Sequence, residues 1–493
     1  MASTSVPSRT ERRQAKRQDP DRVSFGRNVA WSTSHASQAG SVIILGYFAI
    51  YCTDTLGLNP AIVGGLLLAS KLVDAVGVLL SGYIVDRSPN TRWGKARPFD
   101  LAIVGVWIFA AIMFSTPAGF SDVGKYIWVF ASYLMVSAIF TPLFLANQPL
   151  YLARSFVSRG AITKVTSFSG IIIGLGGVIV GISFPIFAQS AGKSPAAWAA
   201  LVVAYAIPLA ILGVVRFLTI REIHDTESSQ LPRVTFRDIR KVLATNPYLW
   251  GVAGIQLVAS IGGGAGGLTY YYRYIVGNIA LQGILGALAI LLIPLFIAVP
   301  ALIRRFSVSK LIAVAGVFGV VGASMYGFVG SNIPLLIVAA VLTAASSLPV
   351  AFLLPILIID NSTFNEWKGN RRLESVGGSI TAFAMNAGAG VAAGIAGFVL
   401  TTTGYNGKFD TQTPAAIGGI VAITAWIPAA MSVVIVVIAL FYNRFERRLP
   451  TITKEIDLRR VTSGMTPLIT PAGSTVTANN PFETGTVDPR DPK

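Results

Sequence analysis

Apolar runs of about 20 residues recur along most of the chain, separated by short polar connections. A helix of that length spans the roughly 30 Å hydrocarbon core of a bilayer and satisfies its own backbone there without water. A mean hydropathy of +0.64 and a charged share of 12% exclude a soluble chain of 493 residues. The sequence therefore predicts an all-α polytopic membrane protein. Its twelve predicted spans lie near 29–53, 60–84, 100–118, 126–152, 161–189, 196–218, 249–272, 280–302, 310–330, 334–360, 376–402 and 414–442.

A polar segment at 219–248 divides these spans into two groups of six. Two six-helix bundles joined by a central linker are the layout of a secondary transporter whose site lies near the middle of the membrane. Within the linker, residues 236–243 carry the pattern of an amphipathic helix on the membrane surface. The end of the chain, from Thr462, has little to bury, which predicts disorder. The predicted regions are a basic N-terminal segment (1–28), an N-terminal six-helix bundle (29–218), the linker (219–248), a C-terminal six-helix bundle (249–442) and a tail (443–493).

The net charge of +17 follows the connections between the predicted spans. Basic residues concentrate in every second connection and in both terminal segments, so the positive-inside rule places both termini in the cytoplasm of a multi-pass plasma-membrane protein. This topology accounts for the charge, and we expect no nucleic-acid partner. The opposite connections hold only four basic residues, Lys125, Lys193, Arg273 and Lys408.

The second predicted span carries Lys71 and Asp74, one helical turn apart, at a depth where charges are costly and rare. Such a pair is either a structural tie within the bundle or a part of a transport cycle. In the first span, His35 lies one turn before Gln38 on the same face. This histidine could exchange protons, or it could be a neutral residue held by hydrogen bonds.

Several segments follow one another in an order known from other transporters. They are YFAIYCTDTLGL (Tyr47–Leu58), the second span around Asp74, RWGKARPF (Arg92–Phe99), YYYRYIVGN (Tyr270–Asn278) and IIDNSTFNEWKGNRRLES (Ile358–Ser375). Together they resemble the glycoside-pentoside-hexuronide:cation symporter family. The resemblance implies the fold of the major facilitator superfamily, and carriage of sugars or glycosides driven by sodium, lithium or a proton.

The resemblance also implies substrate-binding positions, several of which carry different residues in this chain. Gln38 and Asn147 stand where the family has aspartates, and Asn386 stands where it has a lysine. Neutral amides donate and accept hydrogen bonds, which suits a hydroxyl-rich ligand, although they could equally join helices to one another. Tyr151 could stack on a sugar ring or anchor its helix at the membrane interface. The predicted substrate-binding residues are Gln38, Asn147, Tyr151, Lys164, Gln256 and Asn386.

The comparison with the family's positions also concerns which ion drives transport. The family has a second carboxylate four residues after Asp74, and this chain has Val78 there. A desolvated sodium ion needs several oxygen ligands, so the sequence favours a proton over sodium, with Asp74, Lys71 and His35 as the coupling residues. We expect no cofactor, and one cysteine with two histidines cannot build a metal cluster.

Charges of both signs lie on the predicted cytoplasmic turns of both halves. They could join the bundles while the outside is open and separate when the inside opens, although some could serve topology alone. The predicted cytoplasmic gate consists of Asp86, Arg87, Arg92, Lys95, Arg97, Asp360, Glu366, Lys368, Arg372 and Glu374.

Other functional classes fit less well. The sequence holds no recognisable nucleophile–base pair, paired acids or phosphate-binding glycine loop, so we expect no enzyme, and no repeated pore motif indicates a channel. A carrier of lysolipids or other amphiphiles, or an uncoupled sugar facilitator, would have the same fold. The expected partners are a small sugar or glycoside, a coupling cation and the lipid bilayer, and a monomer is sufficient.

Overall fold

A computed structural model describes residues 23–117, 119–156, 159–222, 244–263, 266–288, 302–303, 305–370 and 374–462. Within these ranges the chain forms helices and turns without a β-strand, which confirms the all-α prediction. The predicted surface helix at 236–243 and the tail beyond Thr462 lie outside the described residues.

The N-terminal half has six predicted spans, but its described residues form seven α-helices longer than one turn, because a π-helical turn divides the fourth span into two helices. The seven are α1 (Phe25–Leu45), α2 (Pro60–Arg87), α3 (Ala102–Met113), α4 (Asp122–Leu134), α5 (Thr141–Ser155), α6 (Arg159–Ala191) and α7 (Pro195–Thr219). Helix α1 continues through Phe48–Ile50 into a π-helical turn, Tyr51–Thr55, and a second π-helical turn, Met135–Phe140, joins α4 to α5.

The C-terminal half repeats this alternation of long helices and short connections. Its helices are α8 (Pro247–Gly263), α9 (Gly267–Tyr274), α10 (Ala280–Ala287), α11 (Val308–Met325), α12 (Ile333–Trp367), α13 (Glu374–Thr402), α14 (Pro414–Val421), α15 (Ile427–Glu446) and α16 (Leu449–Thr462). A π-helical turn, Ala422–Trp426, joins α14 to α15.

Local sequence explains how α2 begins. The Asn59 side chain accepts a hydrogen bond from the backbone N–H of Ala61 at 2.8 Å, and Pro60 occupies the first turn, where its missing N–H costs nothing. The helix then runs past the predicted span end at 84 and stops at Arg87. Helix α12 likewise continues beyond 360 to Trp367, because a helix does not have to end where its apolar stretch ends.

Nine helical segments in the described ranges are long and apolar enough to cross a membrane. Three predicted spans fall short by this measure. Helix α3 has 12 residues, and α10 ends close to the limit of the described range. In α12 only Ile333–Ser347 enters this measure, because the side chain of Leu348 lies outside the described ones. The architecture is that of a polytopic membrane protein with two six-helix bundles.

We call the face where α1 begins and α15 ends, at Phe25 and Glu446, the terminal face, and the other the opposite face. The two bundles meet along two helix pairs, α2 with α13 and α6 with α10. Glycines permit this close approach. A Cβ atom on Gly64 would lie 2.5 Å from the Ala393 carbonyl oxygen, and one on Gly397 would clash with the Pro60 carbonyl oxygen.

This contact yields a prediction for Gly397→Ala. The added methyl group should force α2 and α13 apart and open the opposite face, because the atom in its way belongs to backbone. Pulsed electron paramagnetic resonance between spin labels at Val123 and Phe328, both exposed, should show a longer distance than in the parent. The parent and the Gly397→Ala variant would both carry Cys52→Ser, which removes the native thiol.

Gly394→Ala is the matched control, since it places the same methyl group on the same helix. There the nearest atom is Leu68 Cδ2 at 3.4 Å, an ordinary contact that needs no movement. Equal distance distributions in the two variants would contradict the prediction.

Candidate functional site

A cavity of about 690 Å³ lies between the two bundles. This volume is in the range of small-molecule sites. Most of its wall is apolar and comes from α1, α2, α5 and α13. The polar or aromatic side chains around it include Gln38, Thr53, Lys71, Asp74, Tyr133, Ser137, Thr141, Tyr270 and Asn386.

Lys71 and Asp74 lie side by side in the cavity wall. The Lys71 ammonium donates to Asp74 Oδ2 at 2.7 Å and lies 5.7 Å from the centroid of the Tyr133 ring. Asp74 is 3% exposed, and its Oδ1 has no hydrogen-bond partner among the described residues. One carboxylate oxygen is thus engaged by the lysine, while the other can accept a proton or a ligand donor.

Two of the predicted amide positions also line the cavity. Gln38 Oε1 is buried and finds no partner in the described part of the chain, whereas Asn386 Nδ2 donates to the Ala382 carbonyl oxygen at 3.1 Å. Val78 lies one turn beyond Asp74 on the same wall and contributes no oxygen. The glutamine is therefore the better placed of the two amides for binding a ligand.

Ser137 is a cavity residue that sequence reasoning missed. It lies in the π-helical turn between α4 and α5, and its hydroxyl is buried without a partner in the described ranges. Pro142 has no N–H to donate to the carbonyl of Ala138 four residues earlier, which favours a widened turn. Gly77 on α2 lets this turn approach, since a Cβ atom there would clash with the Ala138 carbonyl oxygen.

The structure places the remaining predicted substrate residues outside the cavity wall. Asn147 is fully buried, and both of its amide atoms lack a partner among the described residues. Tyr151 donates to the Ile220 carbonyl oxygen at 2.8 Å, and Gln256 donates to Ser260 Oγ at 3.3 Å. Lys164 is exposed on α6. Their roles in substrate binding stay predictions.

His35 belongs to a second buried network, inside the N-terminal bundle. The Arg216 guanidinium is fully buried, pairs with Asp100, and donates to Gln148 Oε1 at 2.7 Å. His35 Nδ1 lies 3.2 Å from the guanidinium, which also stacks over the Trp31 ring at 4.7 Å. The structure therefore does not bring His35 to the Lys71–Asp74 pair.

At the terminal face, Glu222 holds the loop that carries several predicted gate residues. Its carboxylate accepts hydrogen bonds from the backbone N–H groups of Lys95, Ala96 and Arg97 at 3.1, 2.7 and 2.6 Å, and pairs with Arg154 at 3.1 Å. Sequence reasoning missed this acid, because Glu222 lies at the start of a polar linker where charged residues are ordinary.

Four of the predicted gate cations contact aromatic rings of their own bundle. Their cation–ring pairs are Arg87–Tyr83 (4.6 Å), Arg92–Trp93 (4.7 Å), Arg97–Phe217 (4.8 Å) and Lys368–Trp367 (4.9 Å). Asp360 and Glu366 lie partly buried on α12. The side chains of Asp86 and Glu374 are outside the described ones, and Arg372 is outside the described residues. Bridging of the two bundles by these groups stays a prediction.

At the opposite face, hydrogen bonds join the bundles around the buried carboxylate of Asp54. Tyr274 donates to its Oδ2 at 2.5 Å, Tyr405 donates to its Oδ1, and Thr53 Oγ1 lies 3.0 Å from the Tyr270 hydroxyl. We call these five residues the Asp54 cluster. Nearby, Lys193 pairs with Asp410 at 2.8 Å, and this hydrogen bond lowers the pKa of the exposed Asp410 carboxyl. The opposite face is therefore closed.

Comparison with known proteins assigns this arrangement to a family. The profile of the family described as MFS/sugar transport protein matches residues 32–444. The chain belongs to this family. It is thus a transporter of the major facilitator superfamily and not an enzyme, and the resemblance found in the sequence is confirmed.

Curated relatives of this transporter cover most of its length. An uncharacterized symporter, YnaJ, of Bacillus subtilis is 27% identical over 84% of this chain and 90% of the relative. The isoprimeverose transporter of Lactiplantibacillus pentosus is 22% identical, over 80% and 84%. A glucuronide carrier protein homolog of Escherichia coli is 24% identical, over 87% and 93%.

Solved structures share the fold of this transporter at low sequence identity. A bacterial homologue of the human lysosomal transporter Spinster, in an inward-facing and unoccupied conformation, superimposes with a TM-score of 0.65, at 14% identity, over 88% of this chain and 98% of that one. The nucleoside transporter NupG gives a TM-score of 0.58, at 13% identity, over 87% and 99%.

Proposed function

We propose that this transporter carries a sugar or glycoside across the cell membrane by symport with a cation, and that the cation is a proton in preference to sodium. The observation that carries the proposal is the cavity itself. Its wall combines the Lys71–Asp74 ion pair with unpaired polar atoms on Gln38 and Ser137. Relatives named as an isoprimeverose transporter, a glucuronide carrier homolog and a symporter support this reading.

A hydroxyl-rich ligand suits these unpaired atoms. A buried polar atom without a partner costs about 1–3 kcal/mol, and a ligand hydroxyl that supplies the missing hydrogen bond recovers that cost. The Gln38 carbonyl and the free Asp74 oxygen accept hydrogen bonds, and the Ser137 hydroxyl can donate or accept. Sugars present both functions on every hydroxyl group.

The surroundings of Asp74 favour a proton over a sodium ion. A sodium ion at Oδ1 would lie beside the Lys71 ammonium, which repels it, and would have to gather further oxygens on a wall where the next turn presents Val78. A proton needs one oxygen, and Oδ1 is unpaired. A movement that separates Lys71 from the carboxylate would remove its counter-charge and favour protonation.

Alternating access would supply that movement. We propose that the terminal face is cytoplasmic, so that closure around the Asp54 cluster corresponds to a carrier closed to the outside. Opening to the outside would break the hydrogen bonds of this cluster and separate α2 from α13. Since Lys71 and Asp74 both lie on α2, beside α13, the same separation changes their surroundings.

Uptake into proteoliposomes tests the proposal. A panel of labelled xylose, glucose, galactose and glucuronic acid and their methyl glycosides would be offered under an imposed pH gradient or sodium gradient. We expect at least one sugar to accumulate under the pH gradient and not under the sodium gradient. Sodium-driven accumulation would contradict proton coupling, and displacement of the carried ligand by lysolipid but not by sugar would favour an amphiphile carrier.

Gln38→Leu should weaken substrate binding without disturbing insertion into the membrane. Leucine fits a span but removes a hydrogen bond worth about 0.5–1.5 kcal/mol, which corresponds to a roughly two- to thirteenfold loss of affinity. Binding of the carried sugar to purified protein measures this loss. Val42→Leu, one turn further along the same cavity wall, controls for added bulk. Equal affinities of Gln38→Leu and the parent would identify Gln38 as a packing residue.

A further inference from the structure

Among the described residues of the cavity wall, the buried polar atoms without a partner all come from one bundle. Gln38 Oε1 belongs to α1, Asp74 Oδ1 to α2 and the Ser137 hydroxyl to the turn before α5. The C-terminal half contributes two polar side chains to the described part of the wall. Each makes a hydrogen bond within the protein, since the Tyr270 hydroxyl lies 3.0 Å from Thr53 Oγ1 and Asn386 Nδ2 donates to its own helix. Hydrogen-bonding capacity is thus concentrated on the N-terminal side.

Helix α13 forms an apolar wall facing these groups. Its cavity-lining side chains recur every three or four residues and so occupy one face of the helix. They include Ala382, Met385, Ala389, Ala393, Ala396 and Leu400. Four of these six side chains are alanines, and among the described cavity-lining residues of α13 only Asn386 carries a hydrogen-bonding side chain. This wall can therefore contact an apolar group closely but cannot replace the water around a hydroxyl group.

The two walls meet at Lys71. A Cβ atom on Gly390 would lie 2.9 Å from Lys71 Cβ and Cγ, so the aliphatic stem of this lysine runs against α13. Its ammonium group turns away to Asp74 and the Tyr133 ring. A ligand bound beside the ion pair would thus touch polar groups on one side and the alanine face of α13 on the other.

We propose that the preferred substrate is a glycoside with an apolar aglycone, whose sugar bonds to the N-terminal wall and whose aglycone packs on α13. This inference rests on the proposed sugar transport and makes it more specific. A free sugar would leave the α13 face in contact with water, whereas an alkyl or aryl group would bury it. Each methylene buried on that face should raise affinity up to about fourfold, the factor that corresponds to about 0.8 kcal/mol.

Isothermal titration calorimetry on the full chain in lipid nanodiscs tests whether the sugar and the aglycone contact different walls. The probes are the methyl, butyl and phenyl glycosides of xylose, glucose, galactose and glucuronic acid, in both anomers. For the sugar that binds, we expect affinity to rise from methyl to butyl to phenyl. Ala389→Phe fills the α13 wall and should remove the preference for phenyl over methyl. Ser137→Ala should weaken all three glycosides by the same factor.

Val391→Phe is the matched control for the aromatic substitution. It introduces the same side chain on the same helix, at a position that is 37% exposed and does not line the cavity, so the preference should remain. Equal affinity of the parent for methyl and phenyl glycosides would overturn the inference. So would an Ala389→Phe variant in which the affinities for both glycosides fall by the same factor, because the preference for phenyl would then remain. Failure of every sugar and glycoside to bind would instead contradict the proposed function as well.

Discussion

Asp74→Asn is expected to abolish uphill accumulation of substrate while leaving exchange of substrate across the membrane intact. Asparagine has the size of the protonated carboxylic acid and cannot release a proton, so the variant should cycle only with substrate bound. Accumulation in proteoliposomes under an imposed pH gradient should fall to equilibration, and counterflow of labelled against unlabelled substrate should persist. Asp74 lines the cavity, so its loss acts where substrate and proton would meet.

A double variant separates coupling from stability. Asp74→Asn leaves Lys71 without its partner, and an unpaired buried charge costs several kcal/mol. Lys71→Met with Asp74→Asn removes both charges and should insert and melt like the parent while remaining uncoupled. A single or double variant that still concentrates substrate would show that Asp74 is not the coupling group.

The sequence predicted the parts of the site that depend on helix periodicity. Lys71, Asp74 and Val78 recur at helical spacing within one apolar run, and the structure places all three on the cavity wall. Gln38, a substrate-binding position implied by the family resemblance, also lies on the cavity wall. Hydropathy and spacing are local properties of the sequence, so they predict which side of each helix is polar.

Other features depend on contacts between distant segments, which spacing does not reveal. Ser137 enters the cavity because a π-helical turn shifts the face of its helix. A regular 3.6-residue period cannot anticipate that shift, although Pro142 signals a break nearby. Asp54 looks like an ordinary acid at a span end, and only the fold brings Tyr274 and Tyr405 to it.

Arg216 is another residue whose contacts depend on a distant segment of the chain. By position it lies at the end of a span, where the positive-inside rule alone explains an arginine. The structure buries it completely and pairs it with Asp100, which comes from the start of a different span. The charge pattern accounts for an arginine at this position without revealing its role. Its partner is 116 residues away in the sequence.

Arg216→Met is expected to destabilise the transporter by about 3–5 kcal/mol, because it leaves the Asp100 carboxylate buried without a counter-charge. Gln148 would also lose the donor that bonds to its side-chain oxygen at 2.7 Å. The variant should express poorly and melt well below the parent in detergent, as measured by fluorescence-detected size-exclusion chromatography after heating. Asp100→Leu should be similarly affected, since it leaves the arginine unpaired.

Combining Arg216→Met with Asp100→Leu should restore much of the lost stability. Replacing both members of a buried pair by apolar residues of similar size is often neutral, whereas removing one member is costly. The network lies away from the cavity, so the restored protein should also bind and transport substrate. A double variant that melts as low as either single variant would show that the pair is not the source of the loss. A stable double variant without transport would instead assign the network, with His35 beside it, a part in the transport cycle.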